Sequence, residues 1–306
     1  MAGMTLLKKA LAQDFTKSVK FQLHSHLTGV SPGRPKVNVH ASEVTKPDNI
    51  CPREYALTDL TKKKPRPEYL TTSENITYHL GRVLQDSVVN WFADMGKAVC
   101  HWKCMGCGKL YEFQSRPFKC EGCNVRAFTP VEVRFESAVT GISCGVDMLA
   151  ALGDTKLRPV EIKTMAADQF KTLVAPLAEH RLRTNLYLRI IAESAHPWAS
   201  MVSSERAQVL YISKSGYGCS DDTLKKWGLK ESFSPFKEFD VTRDDKATDY
   251  LTGPAKIVKA WRDGKIGMPK GVCPSSLAKR AANCNCKSEC FSGEFPPTYD
   301  WKGSVG

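Results

Sequence analysis

At 306 residues, 42% of them hydrophobic, the chain is long enough to build its own core and too apolar to be a disordered linker. Its 44 Lys and Arg against 32 Asp and Glu leave a net charge of +12 and a pI near 9.1. That balance favours a polyanionic partner through counterion release, with nucleic acid the natural candidate. A transmembrane helix is excluded, because no run of about 18 apolar residues occurs.

The opening stretch MAGMTLLKKALAQDF lacks the apolar core and small-residue cleavage site of a secretory signal, so a cytoplasmic protein without a membrane partner is expected. Twelve cysteines in such a chain point to metal rather than disulfides.

Residues 1–36 read as a basic arm, a short amphipathic helix followed by a turn-rich stretch. Lys8, Lys9, Lys17, Lys20, Arg34 and Lys36 stand there against the single acid Asp14, which suits either a DNA-contacting arm or a solvated terminus. Residues 37–97 form an N-terminal helical part. Ser42 is placed to cap a short helix, Cys51 immediately precedes Pro52, and residues 61–67 make a basic loop. From Ser73 to Met95 the apolar positions Ile76, Leu80, Val83, Leu84, Val88, Trp91, Phe92 and Met95 recur at helical spacing, with Ser73 as N-cap and Gly96 beyond the end. The polar face carries Arg82, Gln85, Asp86 and Asn90.

Residues 98–128 carry Cys104-x-x-Cys107 and Cys120-x-x-Cys123, twelve residues apart, with Gly106, Gly108 and Gly122 at the knuckles. Each CxxC turn sets two thiolates on one ion, and two turns complete a tetrahedral Zn²⁺ site. With four cysteine ligands no position is left open, so the zinc is structural, although an iron site or reduced thiols would fit the same residues. Cys100 lies outside the pattern and reads as an ordinary buried thiol.

Residues 129–265 form the core. Val131 to Val139 alternates as a strand, and two apolar runs, 145–152 and 157–165, flank Gly153-Asp154 as a β-hairpin. Glu161 and Lys163 share one face of its second strand, Val160 and Ile162 the other, and Asp147 is level with them on the first strand. Two carboxylates with a lysine beside them can hold Mg²⁺ and set an ammonium next to an attacking water, which is chemistry for cutting a phosphodiester. A surface salt bridge between Glu161 and Lys163 is the plainer reading of that pair alone. A helix interrupted near Pro176 follows over 166–195, then a strand over 207–213 and a last helix from Thr248 to Gly264. A long helix followed by three strands, a helix and a strand is a mixed α/β core.

The tail, 266–306, holds Cys273, Cys284, Cys286 and Cys290. With Cys51 from the other end of the core they could hold a [4Fe–4S] cluster that staples the chain shut, or a second zinc, or nothing.

The order Cys51-Pro-Arg-Glu-Tyr, a glycine-bearing helix, Gly-x-Asp147, Glu161-x-Lys163, a helix with Tyr187 and a terminal cysteine cluster resembles the RecB-like PD-(D/E)XK nucleases. The similarity is to their iron–sulfur exonuclease branch, including the AddB nuclease domain, the CRISPR-associated exonuclease and exonuclease V. It covers roughly residues 37 to 292 apart from the zinc ribbon, which looks like an insertion. The resemblance implies a restriction-endonuclease-like mixed sheet flanked by helices. It also implies a Mg²⁺- or Mn²⁺-dependent deoxyribonuclease acting on DNA ends or single strands in replication or recombination, of a kind found in phages. In the host cytoplasm it would work beside a helicase, because the chain carries no phosphate-cradling GxxxxGK of its own. Asp147, Glu161 and the Ile162 carbonyl would hold the metal, Lys163 would orient the water, and Tyr187 would touch DNA or the site. Cys51, Cys273 and Cys290 would ligate the cluster, with Cys284 the preferred fourth ligand and Cys286 its rival. Three departures stand out: Gln85 replaces the usual metal-binding histidine four residues after Gly81, Arg183 replaces a glutamine four residues before Tyr187, and the gap from Cys273 to Cys284 is long. Gln85 leaves either a Mg²⁺-biased site or a decayed nuclease fold that binds DNA or protein.

Overall fold

The computed structural model describes residues 19–31, 37–46, 48–64, 68–216, 218–230 and 233–301. The elements, in order, are α1 (Val19–Leu27), β1 (Gly29–Ser31), β2 (Val39–His40), α2 (Ala41–Val44), α3 (Pro52–Thr61), β3 (Glu68–Leu70) and α4 (Thr72–Asp94). Then come β4 (Ala98–Cys104), β5 (Leu110–Gln114), β6 (Phe128–Val131), β7 (Val133–Glu136), β8 (Ile142–Val146), β9 (Met148–Ala150) and β10 (Arg158–Met165). Next are α5 (Ala167–Thr172), α6 (Ala178–Ala192), a 3₁₀ turn (Pro197–Met201), β11 (Arg206–Ser213), β12 (Cys219–Ser220), α7 (Asp222–Lys226), β13 (Phe233–Ser234) and β14 (Phe236–Thr242). The chain closes with α8 (Asp245–Arg262), α9 (Lys279–Ala282) and α10 (Lys287–Phe291). No helix among the described residues is long and apolar enough to cross a membrane.

The chain divides into two units, residues 1–34 with 65–80 and residues 35–64 with 81–306. In the smaller, β1 pairs antiparallel with β3, and Thr71 caps α4 by accepting from the Glu74 N–H at 3.2 Å while the Glu74 carboxylate accepts from the Thr71 N–H at 2.8 Å. The helix therefore begins one residue before the expected cap, Ser73. Of the basic arm expected over 1–36, residues 1–18 and 32–36 lie outside the described residues, as do 65–67 of the basic loop.

The larger unit is a mixed α/β assembly. A seven-stranded sheet runs β14-β11-β10-β9-β4-β5 with β6 also on β4, and a three-stranded sheet runs β2-β8-β7. Among the strand pairs of the described residues, only β10/β11 and β2/β8 are parallel. α5 and α6 supply the crossover that a parallel β10/β11 pair requires. α6 packs Leu186, Tyr187, Ile190 and Ile191 into a core shared with Val133, Phe135, Ile142, Cys144 and Val146.

Several local expectations change for identifiable reasons. The short helix after β2 is capped by His40, whose ring accepts from Ser42 N–H while Glu43 accepts from His40 N–H, so Ser42 lies inside it. The strand expected over 131–139 breaks at Glu132 into β6 and β7, which join different sheets. The hairpin closes through a loop over 151–157, with Gly153 at φ +93°, instead of a two-residue turn. Strand β14 has no sequence signature because it is an edge strand, and Val241 is its one buried residue. Of the expected α4 stripe only Val88 is buried. Leu84 and Phe92 pack partly, and Trp91 and Met95 face outward.

Truncating a fully buried α6 side chain, Leu186→Ala, should cost about 2–5 kcal/mol, read as a lower urea midpoint. The same change at Val174, 89% exposed, should stay within about 0.5 kcal/mol.

Candidate active site and cysteine centres

The strand that carries Asp147 is continuous in sequence but not in sheet. Its first part, β8, pairs with β7 in the small sheet, and its second, β9, pairs with β10 in the large one, leaving Asp147 at the bend between them. There the Asp147 carboxylate accepts from the Ile162 backbone N–H at 2.7 Å and from Gln85 Nε2 at 3.0 Å. Gly81, one turn before Gln85, lets α4 come close to β10, since a Cβ there would meet Thr164 Oγ1 at 3.3 Å.

Glu161 is 3% exposed, and Lys163 Nζ sits 2.5 Å from its Oε1. The pair is therefore not a solvated surface bridge. Burial first, and then the neighbouring Glu161 carboxylate, push Asp147 well above the ordinary carboxylate range. Burial works against the Lys163 ammonium, yet Glu161 and Asp147 outweigh it and raise its pKa. Two buried acids sharing one lysine make a site with a deficit of positive charge and hard oxygen donors, which suits Mg²⁺ or Mn²⁺.

Tyr187 is buried in the α6 core beside these acids, and its hydroxyl pKa is raised by burial, then by Glu161 and Asp147. It meets the acid site from inside the core rather than from an open surface. Of four further neighbours, only Arg183 carried a mark in the sequence. Glu132 lies one residue before the Val133–Val146 pair, and its carboxylate overlies Gly145, where any Cβ would approach it to 2.3 Å. The glycine of Gly-x-Asp147 thus makes room for a third acid. Tyr211, paired in register with Lys163, accepts from the Leu177 N–H at 3.0 Å and lies 2.9 Å from His180 Nδ1. Arg183, in the helical turn before Tyr187, pairs with Glu179 at 2.6 Å and has a buried Nε without a partner. Contacts between separate elements pick out Glu132, His180 and Tyr211.

The four ribbon cysteines, Cys104, Cys107, Cys120 and Cys123, place their sulfurs within 4.8 Å of one another, and no other such group of three or more ligand residues occurs among the described residues. Tyr111 donates to Cys120 Sγ at 3.4 Å and accepts from the Glu121 N–H at 2.8 Å, an outer contact that orients a ligand. The ribbon is not hung on a linker. Its first strand, β4, pairs with β9 of the core, and Phe113 stacks on Trp198 with ring centres 4.7 Å apart.

Cys51, Cys273, Cys284, Cys286 and Cys290 line one cavity of about 140 Å³. The tail is held there by Arg280 donating to the Asn49 carbonyl at 2.9 Å, Asn285 donating to the Lys64 carbonyl at 2.7 Å and Lys63 pairing with Glu289 at 2.6 Å. Cys286 is turned toward the protein, 3.3 Å from the Thr58 hydroxyl and 3.8 Å from the Glu54 carbonyl. A single tetrahedral zinc with bonds of about 2.3 Å would hold its sulfurs about 3.8 Å apart. The cavity cysteines are spread more widely than that, since no three of them meet within 4.8 Å.

No protein-family profile and no curated protein matches this sequence. Among solved structures, the chain is similar to the protein SSO0001 at 16% identity, over 80% of this chain and 81% of that one, with a TM-score of 0.34. It is also similar to LHK-Exo, an alkaline exonuclease from Laribacter hongkongensis, at 13% identity over 74% of this chain and 89% of that one, with a TM-score of 0.38. The complex of LHK-Exo with dAMP gives 14% identity over the same shares and a TM-score of 0.39.

Burial first, then the charges of Lys163 and Arg183, lower His180 from 6.5 to about 4. Between those values the unfolded chain holds a proton that the folded chain does not, so stability is lost as pH falls through that window. His180→Gln should flatten the curve of urea midpoint against pH between about 6.5 and 4.

Proposed function

We propose that the chain is a metal-dependent deoxyribonuclease of the RecB-like PD-(D/E)XK type, acting on DNA ends or single strands. The observation that carries this reading is the convergence of Asp147, Glu161 and Lys163, each from a separate sequence segment or strand position, on one buried and acid-rich point. Asp147, Glu161 and the Ile162 carbonyl would hold Mg²⁺ or Mn²⁺, which when bound supplies charge neutralisation at the scissile phosphate and a more acidic water. Lys163 holds its proton next to Glu161 and orients the attacking water. Gln85 fixes Asp147 through its amide and Tyr187 closes the site from the core side. Arg183 offers a second cation for phosphate oxygens. The chain's net charge of +12 suits a DNA substrate, and strand separation falls to a separate helicase or recombination partner in the cytoplasm.

A second reading, a decayed nuclease fold that binds DNA or protein without cutting, is favoured by one observation. Both Asp147 oxygens are already engaged by the protein, one of them by Gln85 where the resemblance implies a histidine. End-labelled single- and double-stranded DNA incubated with Mg²⁺ or Mn²⁺ separates the two. Cleavage that falls at least about 100-fold in Glu161→Gln and Lys163→Ala, with DNA binding retained, is expected for the nuclease. Intact DNA with the wild-type chain in both metals would establish the binding module.

The ribbon cysteines are read as a structural zinc site and the cavity cysteines as a [4Fe–4S] site, with Cys51, Cys273, Cys284 and Cys290 as ligands and Cys286 outside the set. Support comes from the tight sulfur group of the ribbon and the wider sulfur-lined cavity. Cys107→Ser should remove one zinc per chain, measured by elemental analysis, and leave the cavity's iron content unchanged. Iron lost from the ribbon instead would overturn the zinc assignment.

A further inference from the structure

Arg53 is the second residue of α3 and is 3% exposed. A cation in the first turn of a helix faces the positive end of the helix dipole, and a buried guanidinium needs an anion or a full set of acceptors to offset its lost hydration. Arg53 has the acceptors but no acid. Its NH1 donates to the Pro269 carbonyl at 3.2 Å, its NH2 to the Cys290 carbonyl at 3.4 Å and to the Phe295 carbonyl, and its Nε to Cys290 Sγ at 3.2 Å. No carboxylate pairs with it among the described residues. Gly271 is part of the same arrangement, since a Cβ there would lie 3.2 Å from Arg53 Cδ and 3.4 Å from Cys290 Sγ. Arginine, tail carbonyls and sulfur therefore form one packed unit at the cavity wall.

The one acceptor of this unit that also lines the cavity through its side chain is the Cys290 sulfur. We propose that Arg53 is a counter-charge of the cysteine cavity, beside the Arg280 that lines it: its guanidinium positions Cys290 as a ligand and stabilises an anionic iron–sulfur cluster through the Nε–H···Sγ bond. The inference rests on reading the cavity as a cluster site. A thiolate-ligated cluster is net negative, and a hydrogen bond to a ligand sulfur favours its more negative, reduced state. Arg53 is thus a positioning residue that acts through Cys290. Because its other donors hold Pro269 and Phe295, it also ties retention of the cluster to closure of the tail over α3.

The test compares the full-length wild-type chain with Arg53→Lys and Arg53→Gln after anaerobic incubation with ferrous iron and sulfide. Iron and sulfide per chain, visible absorbance, the half-life of that absorbance under a chelator and the reduction midpoint against redox dyes are measured, with far-UV circular dichroism to confirm folding. Arg53→Lys keeps the charge but loses the fork, so its midpoint should move to more negative potential with iron content retained. Arg53→Gln should lose its cluster to chelator at least tenfold faster than wild type. Folded variants with the wild-type midpoint and half-life would overturn the role of Arg53 while leaving the cluster reading intact. Should Arg53→Gln fail to fold, the midpoint of Arg53→Lys decides alone. A wild-type chain that takes up zinc but no iron and sulfide would overturn the cluster reading, and this inference with it.

Discussion

The burial of two carboxyl groups side by side governs the larger unit. Two carboxyl groups buried side by side lose hydration that a cation and hydrogen-bond donors must replace, and the cation in contact with the pair is Lys163, 2.5 Å from Glu161. Everything around the pair holds it in that costly state. The Ile162 N–H and Gln85 amide pin Asp147, α6 covers the acids with an apolar core, and β10 carries Glu161 and Lys163 between β9 and β11. A core arranged only for stability would replace such a pair with hydrocarbon. Its retention is the physical basis for reading the site as chemistry rather than packing.

The bend at Asp147 explains how the two sheets serve that site. A strand lying in one sheet places alternate residues on a fixed face. A strand that changes sheets can aim one residue at the junction, and Asp147 is that residue. Gly145 and Glu132 belong to the same device, because the missing side chain of the glycine is what admits the glutamate.

The cysteine centres fasten the chain in two different ways. The ribbon closes on itself around four clustered sulfurs and is anchored through β4, which is a strand of both ribbon and core. The cavity joins distant parts of the sequence: Cys51 and Arg53 at the start of α3 meet a tail more than 200 residues later through contacts such as Arg53 to Cys290. Closing so long a loop carries an entropic cost, which the buried Arg53 and its tail acceptors help to offset.

The sequence alone determined what depends on near neighbours. Helical spacing located α4, α6 and α8. The CxxC turns located the ribbon, and the two-residue spacing of Glu161 and Lys163 put them together on one strand, β10. Each of these follows from the local geometry of helices, strands and tight turns. The tertiary structure decided what depends on which elements meet. It broke the 131–139 strand at Glu132, made β14 an edge strand, and turned the outer half of the α4 stripe away from the core. It also brought Glu132, His180 and Tyr211 to the acid site, and Arg53 to Cys290. Those contacts join residues from about a dozen to more than 200 positions apart. No periodicity or spacing encodes them, because they arise from packing between separate elements.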